Sequence, residues 1–281
     1  MAELHRRFAE KVRLDNWVME IWLNSNGRVG RLFWMTPAML AWVRLYGTQI
    51  LVDGAEGRNS YRMALTTFCV INGNNQSRNV AHCLHETKDQ GTYEWMLTIL
   101  KRQIENSIAS VIVKSIFSDR ERAIAAALIV VWPEVFHGVC LWHLTENIKK
   151  NLRPVMGQDF HPFLNQFWET YSKGSPASFE IAWNRLLRQW PAASRYLTAN
   201  IYPDREKWAW AWVGLRFSAG TRTTGRVEGE HSVYKLLDLG AASDLNEVMD
   251  KLCDRSTAQQ EREQEMLYKV PGFCSIYSLT D

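Results

Sequence analysis

The sequence predicts an α/β fold built on a mixed β-sheet, with an all-helical stretch after the sheet. Three observations carry this expectation. Apolar runs separated by turn dipeptides fill much of the chain from Trp17 to His85, which is the pattern of antiparallel strands. From Gln90 onward, helix-length amphipathic segments alternate with short apolar runs, as crossover connections between parallel strands require. Beyond His143 the spacing turns helical, punctuated by Pro162, Gly174-Ser-Pro176, Pro191 and Pro203.

Each element follows in order. The stretch WVMEIWLNSNGRVGRLFWM places two apolar runs around Asn26-Gly27, whose tolerance of positive φ marks a hairpin. In TPAMLAWVRLYG, Thr36 is an N-cap candidate, Pro37 suits the first helical position and Gly47 follows the last turn, so a short helix is expected. TQILVDG, YRMALTTFCVING and SRNVAHCLHE read as three consecutive strands, the last two joined through Asn72-Gly73-Asn74. QGTYEWMLTILKRQIEN repeats apolar residues at Tyr93, Met96, Leu97, Leu100 and Ile104, the spacing of an amphipathic helix. SVIVKSIFSD is a strand closing on Asp119, RERAIAAALIVVW a helix stopped by Pro133, and the next apolar run a strand reaching Cys140-Leu-Trp-His143.

Composition narrows the class. Of 281 residues, 46% are hydrophobic and 22% charged, enough apolar material for a substantial core. A net charge of +3 and a pI near 8.6 permit a polyanionic partner without demanding one. The five cysteines (Cys69, Cys83, Cys140, Cys253, Cys274) are odd in number and lack a CxxC pair, so reduced thiols in an intracellular protein are expected. No signal-peptide core opens the sequence and no run of about 18 apolar residues occurs, so neither secretion nor a membrane span is expected. The 13 tryptophans are dispersed, which fits core packing better than a platform for stacked bases.

Asp53 and Asp119 share one context, each following a short apolar run. In open α/β sheets ligands gather outside the carboxyl ends of parallel strands. If the two strands are neighbours, both carboxylates meet at one edge, and acids close enough to repel favour a shared cation. Oxygen donors suit Mg²⁺ or Mn²⁺, and a two-ion clamp can stabilise the attacking and leaving oxygens of a phosphodiester. The simpler alternative is that Ser118 or Asp119 merely caps the following helix. A third acid would come from TTGRVEGEHSVYK, where Glu228 and Glu230 lie near a helix start and only one can face the sheet edge. The chemistry of the residues does not choose between them.

Three stretches together resemble the catalytic domain of Mutator-like element (MULE) transposases, a DDE transposase family with a ribonuclease H-like fold. They are ILVDGAEGRNSYRMALTTF, IFSDRERAIAAALIVVWPEVFHGVCLWHLTENIKKNL and TTGRVEGEHSVYK, in collinear order, and the likeness spans about residues 20–240. The resemblance implies that Asp53, Asp119 and Glu228 are the catalytic, metal-binding acids, holding two Mg²⁺ or Mn²⁺ ions. It implies DNA strand cleavage and strand transfer in the nucleus, on transposon ends and target DNA, by a homo-oligomer with no membrane attachment. It further implies a division into an N-terminal hairpin and helix (1–47), a ribonuclease H-like core (48–143), a helical insertion (144–215) and a C-terminal part carrying the catalytic Glu helix and tail (216–281).

Arg120, Arg226 and Lys235 are candidates for contacting phosphate by their proximity to the acids in sequence, although such cations mostly form solvated ion pairs. His231 belongs to the third stretch and would orient Glu228 or touch phosphate. Cys140 and His143 match the family's C-x-x-H signature. They are read as a buried thiol beside a histidine bonding across the strand, since a zinc site would need partners such as His137 or a distant cysteine. Trp208, Trp210 and Trp212 are expected to pack between domains, while His82 and His85 carry no expected role. The chain departs from the family at Ala55, Glu56 and Gly57, where Thr, Tyr and Lys are common, and at Gly225, where Ser is usual. These changes admit an alternative: a catalytically impaired or domesticated MULE-derived protein that binds DNA and regulates.

Overall fold

The computed structural model describes residues 2–106, 111–218, 220 and 223–268. After a first helix, α1 (Ala2–Asp15), the hairpin strands β1 (Val18–Leu23) and β2 (Val29–Met35) turn through Gly27, whose φ of 68° is one that L side chains rarely adopt. Then come α2 (Pro37–Tyr46), β3 (Gln49–Ala55), β4 (Ala64–Ile71), β5 (Ser77–His85), α3 (Gln90–Glu105), β6 (Ser115–Ser118), α4 (Arg122–Val131) and β7 (Phe136–Val139). Among the described residues the seven strands form one sheet in the order β1-β2-β5-β4-β3-β6-β7. Pairs up to β3 are antiparallel, whereas β3, β6 and β7 run parallel. The fold class is therefore mixed α/β, as the sequence predicts.

Local chemistry explains the helix starts. Thr36 Oγ1 accepts from the Met39 amide at 3.3 Å with Pro37 in the first turn, and Asp89 Oδ1 accepts from the Thr92 amide at 2.8 Å to open α3. Alternation along the strands then sends side chains to two faces. On one face, Phe33, Met35, Ile50, Val52 and Phe68 pack against Trp42 of α2, Met96, Leu97 and Leu100 of α3 and Leu128 of α4.

The opposite face is covered by α11 (Gly225–Leu236) and α12 (Leu245–Tyr268). There Leu32, Trp34, Leu65 and Leu84 meet Tyr234, Val248, Met249 and Leu252, and Leu51 and Phe117 meet Val227. One transverse row on this face is polar: Trp34, His82, Thr67 and Asp53 are register partners across four strands.

From Leu141 to Val213 the chain is mostly helical: α5 (Leu141–Met156), α6 (Phe160–Tyr171), α7 (Pro176–Gln189), α8 (Pro191–Tyr196), a π turn (Leu197–Ile201), α9 (Arg205–Trp208) and α10 (Trp210–Val213). Its core joins Leu144, Ile148 and Leu152 of α5 to Phe163, Phe167, Phe179, Trp183 and Trp208.

Several expectations need correction. The strand anticipated from Ser110 begins at Ser115, and Ser110 and Cys274 lie outside the described residues. The last strand stops at Val139; Cys140 caps α5 and His143 sits inside that helix, because Leu144, Ile148, Leu152 and Met156 form a buried stripe at helical spacing. The core around Trp208 also takes in Val139 of β7. This tryptophan is 1% exposed inside the helical layer, stacked on Phe167 at 5.4 Å and donating from Nε1 to the Ile201 carbonyl at 3.0 Å. The helices α1 and α12 were not anticipated.

Candidate active site

The parallel strands set the geometry of the cluster. Leu51 on β3 pairs with Phe117 on β6, so two residues further along the same register Asp53 and Asp119 emerge side by side. Both line one small crevice with Ser118, Lys88, Tyr93 and Glu121. Ser118 on β6 pairs with Val139 on β7, and the Cys140 amide donates to the Ser118 carbonyl at 2.8 Å. Three adjacent strand ends thus deliver Asp53, Asp119 and Cys140, and the first turn of α5 adds His143.

Helix α11 closes the cluster from above. Its entry is pinned to the end of β7, with the Thr224 amide and Oγ1 donating to Cys140 Sγ at 3.2 and 3.1 Å. From there Glu228 Oε1 comes within 3.6 Å of His143 Nε2, which also lies 3.9 Å from Asp53 Oδ1. His231 Nδ1 stands 3.5 Å from Asp53 Oδ2, and its charge also acts on Glu228. Asp119 Oδ1 accepts from the Glu121 amide at 3.1 Å, which satisfies one oxygen in the manner of a cap while the group still faces the crevice.

The structure separates Glu228 from Glu230. Glu230 is buried, receives two bonds from Arg255 of α12 at 3.0 and 2.8 Å and a third from Asn79 at 3.3 Å, and is held as a structural ion pair. Glu228 has a buried Oε1 with no hydrogen-bond partner among the described residues. A carboxylate set against the charge of Asp53 and the His143 imidazole has the donor chemistry that a hard divalent cation takes.

Electrostatics agree with a crowded acidic edge. Burial, reinforced by the charge of Asp53, pushes the carboxyls of Asp119 and Glu228 above their ordinary range. Burial works against a charged His143, yet its bond to Cys140 and the charges of Asp53 and Glu228 prevail and push its imidazole up to about 9. Burial likewise opposes a Cys140 thiolate, but bonds from His143, Thr224 and Thr223 hold the thiol below the usual range.

The remaining candidates are placed differently. Arg120 donates to Asp204 Oδ2 and to the Asn200 carbonyl, tying β6 to the helical layer. Arg226 donates to Asn75, and Lys235 is exposed two turns along α11 from Glu228. His137 bonds Ser118 Oγ at 2.8 Å and does not join Cys140 and His143. A cation that sequence reasoning missed is Lys88, which lines the crevice and binds Glu56 at 2.6 Å. It follows β5 in a polar loop and carries no motif that could have singled it out.

A mixed sheet with Asp53 and Asp119 side by side on its parallel strands defines an α/β protein with an acidic sheet edge. Residues 49–147 match the family model of the MULE transposase domain, so the likeness read from the three motifs holds for the segment that contains Asp53, Asp119, Cys140 and His143. The chain is also similar to curated proteins of Arabidopsis thaliana. It is 22% identical to Protein FAR1-RELATED SEQUENCE 7 over 86% of this chain, 24% identical to Protein FAR1-RELATED SEQUENCE 5 over 78%, and 21% identical to Protein FAR-RED IMPAIRED RESPONSE 1 over 75%. It spans 30%, 27% and 25% of those proteins respectively, so each is much longer than the region compared. Among the described residues no helix is long and apolar enough to cross a membrane.

Proposed function

We propose that this chain is a domesticated, MULE-derived DNA-binding regulatory protein built on a ribonuclease H-like core, acting in the nucleus. The observation that carries this reading is its similarity, over three quarters or more of its length, to proteins one of which is named for an impaired response to far red rather than for mobility. The altered loop after Asp53 supports it physically. Where the family commonly has Tyr, Glu56 supplies an extra acid that takes up Lys88, a cation lining the same crevice as Asp119, leaving less positive charge for a phosphoryl group. Arg120 and Arg226 are likewise engaged away from the acids.

In this reading residues 48–143 form the core, 144–215 are an insertion, 1–47 pack on the core and 216–281 return Glu228 to it. DNA is the partner, bound as a homo-oligomer, and Asp53, Asp119 and Glu228 are the inherited Mg²⁺ or Mn²⁺ ligands. The test is fluorescence anisotropy with duplex DNA across a salt series, run beside a nicking and strand-transfer gel in Mn²⁺. Salt-dependent binding that Asp119→Ala leaves intact, without cleavage, supports the proposal. Strand-transfer products abolished by Asp119→Ala refute it.

A second reading, an active DDE transposase, is favoured by one observation: all three acids are present, with Glu228 Oε1 buried and making no hydrogen bond among the described residues. Divalent ions bound there would supply Lewis-acid activation of water or a 3′-hydroxyl at a scissile phosphate. The protein's own share would be positioning: β3 and β6 fix the two aspartates, α11 carries the glutamate, and His231 stands beside Asp53.

A further inference from the structure

We infer that Cys140, His143 and Glu228 form a binding site for a borderline-soft divalent cation of the zinc class, sharing Glu228 with the three-acid cluster. A ligand atom from each of the three residues lies within 4.8 Å of the others. Sulfur and imidazole donors are poor partners for Mg²⁺ but good ones for Zn²⁺, and a Cys, a His and a carboxylate make up a three-ligand set with one open position. Asp53 lies beside this set, its Oδ1 3.9 Å from His143 Nε2.

Independent features point the same way. Cys140 is fully buried at the N-terminus of α5, and its sulfur accepts from two groups of Thr224, which orients it into the cluster. Glu228 Oε1 is buried with no hydrogen-bond partner among the described residues. Bonds of roughly 2.0–2.3 Å in a tetrahedral site would bring the donors to about 3.3–3.8 Å apart, so side-chain rotations of about 1 Å suffice to close it.

Binding takes Cys140 as thiolate and His143 as neutral imidazole, releasing their protons to solvent. It also withdraws Glu228 from Asp53 and Asp119. A zinc-class ion and a hard ion therefore compete for one carboxylate, a consequence that rests on the three-acid reading, whereas the site itself does not.

The test uses Co²⁺ as a spectroscopic probe on the full chain, with Zn²⁺ as competitor. Wild-type protein should take up Co²⁺ with a thiolate-to-cobalt charge-transfer band that Zn²⁺ abolishes. Cys140→Ser should lose the band, and both Cys140→Ser and Glu228→Gln should weaken zinc binding about tenfold or more. Asp119→Asn should leave zinc binding unchanged while weakening Mn²⁺ binding. Circular dichroism melts establish that each variant is folded, and Glu228→Gln carries the test if Cys140→Ser is not. No thiolate band in the wild type, or zinc affinity unaltered in the folded variants, overturns the inference. A cobalt band without any Mn²⁺ binding leaves this site standing and removes the three-acid cluster instead.

Discussion

Glu228 and Glu230 lie two residues apart on α11, and exchanging each for glutamine should produce opposite outcomes. Glu230 is 6% exposed and receives both hydrogen bonds of the Arg255 side chain, whose own side chain is 14% exposed. Breaking a buried pair from one side costs about 3–5 kcal/mol, because the remaining charge stays buried. The residual exposure of Arg255 lets water compensate in part, so about 2–4 kcal/mol is expected for Glu230→Gln. At roughly 2–4 °C per kcal/mol for a chain of this size, the melting temperature should fall by roughly 5–10 °C. Glu228→Gln removes a charge that burial and Asp53 already disfavour, so its melting temperature should equal or slightly exceed that of the wild type. Calorimetry with Mn²⁺ completes the comparison: Glu228→Gln should abolish binding, and Glu230→Gln should retain it below its melting temperature. A Glu230→Gln protein as stable as the wild type, or a Glu228→Gln protein that binds Mn²⁺ normally, would refute the assignment of roles.

Other measurements probe the frame around the cluster. Burial pushes His82 down to about 3 and His85 and His137 to about 4, so each resists protonation that the unfolded chain accepts below about 6.5. Their stabilisation is complete above that value and is lost as pH falls toward the folded values, by about 2 kcal/mol each at pH 5. The raised carboxyls of Asp119 and Glu228 offset part of this, and the urea midpoint should still be lower at pH 5 than at pH 7.5; an unchanged midpoint would contradict the burial argument. Gly138→Ala would set a methyl group 2.3 Å from the Phe117 ring, and equilibrium unfolding should register a loss of about 1–3 kcal/mol. Trp208→Ala should cost about 3–5 kcal/mol by the same measurement, with near-ultraviolet dichroism reporting the loosened aromatic stack.

Much of this arrangement is legible from the residues alone, and what is not has identifiable causes. Asp53 and Asp119 stand out because an acid after an apolar run is a local signal, and the crossover pattern already suggests that their strands are parallel neighbours, although β3 continues past Asp53 to Ala55. Glu228 cannot be told from Glu230 locally, since the deciding residue, Arg255, lies 19 positions beyond the end of α11, on a helix that turns back over the sheet. The extended reading of Cys140–His143 fails because an apolar run gives no length signal at its end; the stripe that starts α5 becomes visible only with Leu144 and Ile148. Helix α12 escapes notice because the residues that it packs into the apolar core, Leu245, Val248, Met249 and Leu252, lie in its first turns, while Gln259 and Glu263 anchor the middle through polar contacts to β5 and the turn before it.

That late helix has a consequence for how the protein tolerates shortening. Val248, Met249 and Leu252 roof the sheet face containing Trp34, Leu65 and Leu84. A product ending ahead of Leu245 would still encode every acid of the cluster, yet would leave a greasy face open to water and to other copies of itself. Premature stop codons in that interval should therefore yield aggregates rather than a smaller working protein.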